Sequence, residues 1–131
     1  MAHCQEMIKF AFEDLDVWKK AVEFADKVIS VVEDLDTDRK HYRLLEQAES
    51  SVTSISLNIA EGKGRFSKKE FVQFLYIARG SLYEVVTLLI IFHRKGWITE
   101  ETLMHLKEDA DHIGKMLTSL ANSVKISLNK R

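Results

Sequence analysis

The chain has 131 residues with a formal net charge of -1, and it is 46% hydrophobic and 30% charged. A domain of this size buries roughly two thirds of its unfolded surface, needs no covalent or metal staple, and is too hydrophobic for the intrinsically disordered class. Cys4 is the single cysteine, which excludes an internal disulfide and a thiolate zinc site and suits a reducing cytoplasm.

The N-terminal stretch MAHCQEMIKFAFEDLDVW has early acids and no continuous apolar core, so it does not read as a secretory signal. The most apolar run, Val85 to Phe92, is interrupted by Thr87 and falls short of the roughly 20 residues that span a bilayer. The expectation is a cytoplasmic protein that does not engage a membrane.

The chain has no proline, so nothing forbids long unbroken helices. The first, over roughly 13–34, places Leu15, Trp18, Val22, Ala25, Ile29 and Val32 at alternating three- and four-residue steps, which puts them on one helical face. Asp36, Thr37 and Asp38 are candidates to open a second helix over roughly 38–61, with Leu45, Ala48, Val52, Ile55 and Ile59 along its seam. A third, over roughly 67–95, carries Phe71, Leu75, Ala78, Leu82, Val85, Leu89 and Phe92, and opens on a Ser67-x-x-Glu70 capping box. Thr99 is the candidate N-cap of a fourth, over roughly 99–128, with Leu103, Leu106, Ala110, Ile113, Leu117, Leu120 and Val124. Gly62 and Gly96 sit where left-handed C-caps belong. Short connections make sequential helices antiparallel neighbours, so the predicted fold is all-α, a single up-down-up-down four-helix bundle.

The third helix carries more apolar surface than one bundle can cover. Beyond its seam it has Phe74, Ile77, Tyr83, Leu88 and Ile91, and a helix apolar all round has to be buried all round. These five residues form the predicted oligomer interface.

No cofactor is expected, and catalytic chemistry finds little support. A di-iron bundle needs Glu-x-x-His on two helices, whereas the chain offers Asp109-x-x-His112 once. A remote metal-enzyme alternative would use His105, Asp109 and His112, two turns of one helix flank. Ser81, Glu84, Asn58 and Glu61 lie on or beside the seams of the second and third helices and suggest a polar network that fixes helix register.

The turn NIAEGKGRFSKKEF gathers Lys63, Arg65, Lys68 and Lys69. Lys68 and Lys69 fall in the first turn of a helix, where cations oppose the macrodipole and cost a few tenths of a kcal/mol each (~0.3). Stability does not explain them, while free helix amides and clustered cations suit a phosphate or another anion. The order is not that of a P-loop. These four residues are the candidate RNA or DNA contact.

The stretches FEDLDVWKKAVEFADKVI at 12–29, NIAEGKGRFSKKEFVQFLYIARGSLYEVVTLL at 58–89 and KGWI at 95–98 resemble the four-helix proteins encoded by intervening sequences of bacterial 23S ribosomal RNA genes, also called the S23 ribosomal protein family. The resemblance implies a ring-like homopentamer and kinship with the accessory variability determinants of diversity-generating retroelements, which are basic barrels that bind nucleic acid and a reverse transcriptase. Asn58, Glu61, Gly62, Gly64, Arg65, Ser67, Glu70, Phe71, Gly80, Ser81 and Glu84 match its pattern. Where many members have two arginines shortly after the position of Gln47, this chain has Glu49 and Ser50, and Ser56 stands for the usual proline. The expectation is a non-enzymatic homo-oligomeric scaffold, possible partners being itself, RNA or DNA, and a nucleic-acid enzyme such as a reverse transcriptase. The alternative is a protein-interaction module that touches no nucleic acid.

Overall fold

The computed structural model describes residues 7–35, 37 and 40–129; Cys4, Asp36 and Asp38 lie outside them. A short 3-10 turn, Ala11–Asp14, precedes four helices: α1 Asp16–Glu33, α2 Tyr42–Lys63, α3 Lys68–Arg94 and α4 Glu100–Asn129. No strand occurs among the described residues. Consecutive helices pack side by side, α2 most extensively against α3, and α1 meets α4 to close the circle. The architecture is an all-α up-down bundle. At about 1.5 Å per residue, the 30 residues of α4 run about 45 Å.

Apolar seams converge on one core in which Phe24, Ile55, Ile59, Leu75, Leu82, Leu89, Phe92, Ile113 and Leu117 are all but sealed from solvent. In α2, α3 and α4 these are the predicted stripes. In α1 Ala25 and Val32 of the predicted stripe are buried, but the rest is displaced by one step: Val17, Ala21, Phe24 and Val28 are buried, whereas Val22 is exposed and Leu15, Trp18 and Ile29 are half-buried. The helix is apolar over a wide arc, so two adjacent stripes both satisfy the spacing, and Phe24, the largest fully buried side chain of the helix, centres the buried one. Leu15 is extended, with ψ 122°, and separates the 3-10 turn from α1. Trp18 lies at the edge, its ring 5.1 Å from that of Phe12.

The two glycines expected to terminate helices behave differently. Gly96 takes φ +80°. Its N–H donates to the His93 carbonyl, that of Trp97 to the Phe92 carbonyl, both at 2.9 Å, and the Trp97 and Phe92 rings are 5.4 Å apart. This is a Schellman motif with its hydrophobic contact. Gly62 instead lies inside α2, buried, without the left-handed conformation. A Cβ built there would stand 2.6 Å from Phe74 Cβ and 3.0 Å from Phe71 Cδ1, so this glycine is a close-approach residue between α2 and α3. The helix consequently runs on to Lys63. The turn then closes through Gly64 N–H on the Ala60 carbonyl and Arg65 N–H on the Gly62 carbonyl. Ser67 Oγ accepts the Glu70 N–H, and Thr99 Oγ1 that of Thr102, so both hydroxyls cap, while the Glu70 carboxylate does not return the bond that would complete the capping box.

α3 is long and apolar enough, by length and composition, to cross a bilayer, with a mean hydropathy of 1.6 in its most apolar stretch. Counting only the run Val85–Phe92 understated this. Its inner face is nonetheless built into the bundle core, where Leu75, Leu82, Val85 and Leu89 are buried.

Candidate nucleic-acid interface

The α2–α3 turn stands at one end of the bundle, and its four cations have different surroundings. Arg65 donates to Glu61 Oε1 at 2.8 Å and its guanidinium lies 4.9 Å from the Phe74 ring centre. Its charge is largely spent within the protein. Lys68 Nζ donates to Ser127 Oγ at 2.9 Å, which joins the turn to the C-terminal end of α4 without neutralising the lysine. Lys63 reaches over the Phe71 ring at 5.9 Å. Lys63 and Lys69 are exposed and have no carboxylate within ion-pair distance among the described residues. Three cations are thus available to an anion, and Glu61 restrains the fourth.

The polar residues placed on the α2–α3 seam are partly brought together. Asn58 Nδ2 donates to the carbonyl and hydroxyl of Ser54, at 2.8 and 2.9 Å, and Ser54 Oγ meets Ser81 Oγ at 2.9 Å. The buried Ser51 hydroxyl donates to the Glu84 carboxylate. Glu61 does not join them, because its carboxylate faces outward to Arg65. Ser51 and Ser54, which link the cluster, escaped sequence reasoning, although Ser51, Ser54 and Asn58 recur at helical spacing toward one flank. These hydroxyls satisfy one another at the helix contact, a pattern that fixes register.

Of the five residues assigned to an oligomer interface, Ile77, Tyr83 and Ile91 are exposed, at 52%, 58% and 39%. Phe74 is half-buried beneath Arg65. Leu88 is buried inside the protomer and is withdrawn from the set, since α3 sinks a wider arc between α2 and α4 than a single seam would. Leu57 of α2, 65% exposed, adds to the outward apolar surface. Gly80 is exposed, with no atom within 4 Å of a Cβ built there.

The His105, Asp109 and His112 flank is not assembled for a metal. Lys27 Nζ of α1 lies 2.9 Å from Asp109 Oδ2, and this hydrogen bond with the carboxylate's charge raises the lysine above its ordinary pKa. Both histidines are exposed, and no cluster of three or more metal-ligating side chains occurs among the described residues.

The model of the 23S rRNA-intervening sequence protein family matches residues 13–119, from just before α1 to within α4. The chain belongs to this family. Among solved structures it is similar to a protein of unknown function from the S23 ribosomal protein family of Bacteroides thetaiotaomicron VPI-5482, at 29% identity and a TM-score of 0.75, over 81% of this chain and 95% of that one. No curated protein matches. Membership in the intervening-sequence family thus accounts for the fold, and the basic turn lies inside the matched span. The solved S23 relative, described as of unknown function, contributes no reaction or ligand.

Proposed function

We propose that this chain is a non-enzymatic homo-oligomeric scaffold of the cytoplasm, assembling as a pentamer and contacting RNA or DNA through its basic turn. The observation that carries assembly is the outer surface of α3, where Ile77 and Ile91 stand exposed about Gly80. An interior helical glycine costs about 0.5–1 kcal/mol relative to alanine, and nothing in the protomer crowds it. A partner backbone approaching there would account for both the apolar side chains and the missing Cβ. Sedimentation is expected to give a multiple of the 15.1 kDa protomer, five-fold for a pentamer. Ile77→Glu should shift it to the protomer mass while helical content is retained. A wild-type protein that sediments as the protomer refutes assembly.

Repeated around an assembly, Lys63, Lys68 and Lys69 would multiply a weak contact into useful avidity. Replacing Lys63, Arg65, Lys68 and Lys69 together by Ser is expected to abolish filter retention of structured RNA or DNA at low salt. Electrostatic binding of this kind falls steeply as salt rises. If the wild-type protein retains neither polymer, the chain is instead a protein-interaction module, a reading favoured by the Glu61 carboxylate that already occupies Arg65.

A further inference from the structure

We infer that the groove between α3 and α4 binds single-stranded nucleic acid, its bases against an apolar floor and its phosphates along a line of cations; this rests on the nucleic-acid reading above. The groove has a volume of about 590 Å³. Its floor is Leu82, Val86 and Ala110, with Tyr83 standing at the wall, an assignment that takes Tyr83 out of the oligomer interface and leaves that interface to Ile77 and Ile91. Gly114 deepens it: a Cβ there would come within 3.4 Å of Leu82 Cδ2, and any longer side chain would fill the space.

Lys107 and Lys115 stand at the mouth. Toward the basic turn the line continues through Arg79 and Lys125, both held about one Tyr76 ring, at 4.8 and 4.9 Å from its centre. An aromatic face orients a cation without neutralising it. Arg79 also donates to the Thr118 hydroxyl at 3.0 Å, again an uncharged acceptor. The line ends at Lys68, bonded across to Ser127 of α4. Asp111 is the one carboxylate lining the groove, paired with Lys115 at 2.9 Å. From Lys107 to Lys125 the strip extends about 27 Å along the helix axis. A chain with a net charge of -1 has therefore segregated positive charge on one flank.

A line of cations interrupted by the single carboxylate Asp111 suits a polymer with a charge at every repeat better than it suits a peptide. The floor decides between strand states. A duplex keeps its bases stacked inside and would touch only the rim, whereas a single strand offers base faces to an apolar floor and to tyrosine. Stacking platforms flanked by cations are how single strands are held without sequence preference.

The test is fluorescence anisotropy with labelled oligodeoxythymidine, labelled oligouridine and a duplex of equal length, helical content being checked for every variant. Either single strand should bind the wild-type protein more tightly than the duplex. Tyr83→Ala should weaken binding by about 5- to 150-fold, the range for a lost base stack, and Tyr83→Phe should restore it. Changing Lys107 and Lys125 to Ala, and leaving Lys115 to its Asp111 partner, should lower the slope of log affinity against log salt by about 1.4, at roughly 0.7 per phosphate contact on a single strand. Wild-type binding that all groove variants keep, while the loop variant loses it, overturns this inference and leaves the basic turn standing. Tighter binding of the duplex also overturns it, as do groove variants whose measured effect is to dissociate the assembly, which would give the groove to a second copy. Failure of the wild-type protein to bind any of the three polymers removes the nucleic-acid reading itself, and the groove assignment with it.

Discussion

Replacing Phe92 by alanine is expected to cost about 3–5 kcal/mol, the usual range for truncating a buried phenylalanine. Domains of this kind hold only about 5–15 kcal/mol in total, so the melting temperature should fall by roughly 10–20 °C. Two roles coincide in this side chain. It is fully buried in the core, and it is the apolar partner of Trp97 in the motif that ends α3. The His41 ring, just ahead of α2, lies 4.8 Å from the Trp97 ring. One indole therefore ties the end of α3 to the start of α2, and Phe92 holds the indole. Thermal unfolding followed by circular dichroism, at one fixed protein concentration because assembly adds concentration-dependent stability, measures the loss. Phe92→Leu should lose less, since it keeps an apolar neighbour under the ring. A shift of only a degree or two for the alanine variant would mean that Trp97 sinks into the vacated volume.

The parts of this fold that were legible in the sequence are those where one property decides the outcome. Leu75, Leu82, Leu89 and Phe92 form a single apolar stripe, and they are buried. Gly96 precedes a tryptophan at the right distance from Phe92, and the left-handed turn follows. Where two solutions satisfy the same pattern, periodicity fails: in α1 the stripes beginning at Leu15 and Val17 both follow three- and four-residue steps and converge at Val32, and packing against α2 and α4 favours the one from Val17. Leu88 misled for a related reason, because the arc that α3 buries depends on how closely α2 and α4 approach it.

The candidate site was legible as a set of residue types and illegible as a geometry. The basic turn stands out in sequence, yet the neutralisation of Arg65 by Glu61, four residues earlier, is visible once the helix is known to run through both. The groove cations were missed because Arg79, Lys107, Lys115 and Lys125 lie on two helices, and no local stretch looks basic. Small residues at Ala110 and Gly114 beside Lys107 and Lys115 were the available signal. They share one flank of α4 at helical spacing, which marks a face where a neighbour, or a ligand, comes close.

Gly62→Ala is expected to destabilise the protein by about 1–3 kcal/mol, as overpacked sites do, against the ordinary gain of about 0.5–1 kcal/mol for replacing an interior helical glycine by alanine. The reversal of sign is what makes the measurement informative. The new methyl would stand 2.6 Å from Phe74 Cβ, an atom fixed to the backbone of α3 that no rotamer change can move away. Relief requires α2 and α3 to separate, and that strains the Ser54–Ser81 and Ser51–Glu84 contacts along the same seam. Gly80→Ala supplies the opposite case within the neighbouring helix. No atom lies within 4 Å of its Cβ position in the protomer, so alanine should stabilise the isolated bundle by about 0.5–1 kcal/mol. If copies of the chain pack against this face, the same substitution should raise the melting temperature of a dissociated variant such as Ile77→Glu and weaken the wild-type assembly. An assembly unmoved by Gly80→Ala would put the interface on another face. A Gly62→Ala protein as stable as the wild type would show that α2 and α3 can slide apart cheaply, and the close crossing could then not be what sets their register.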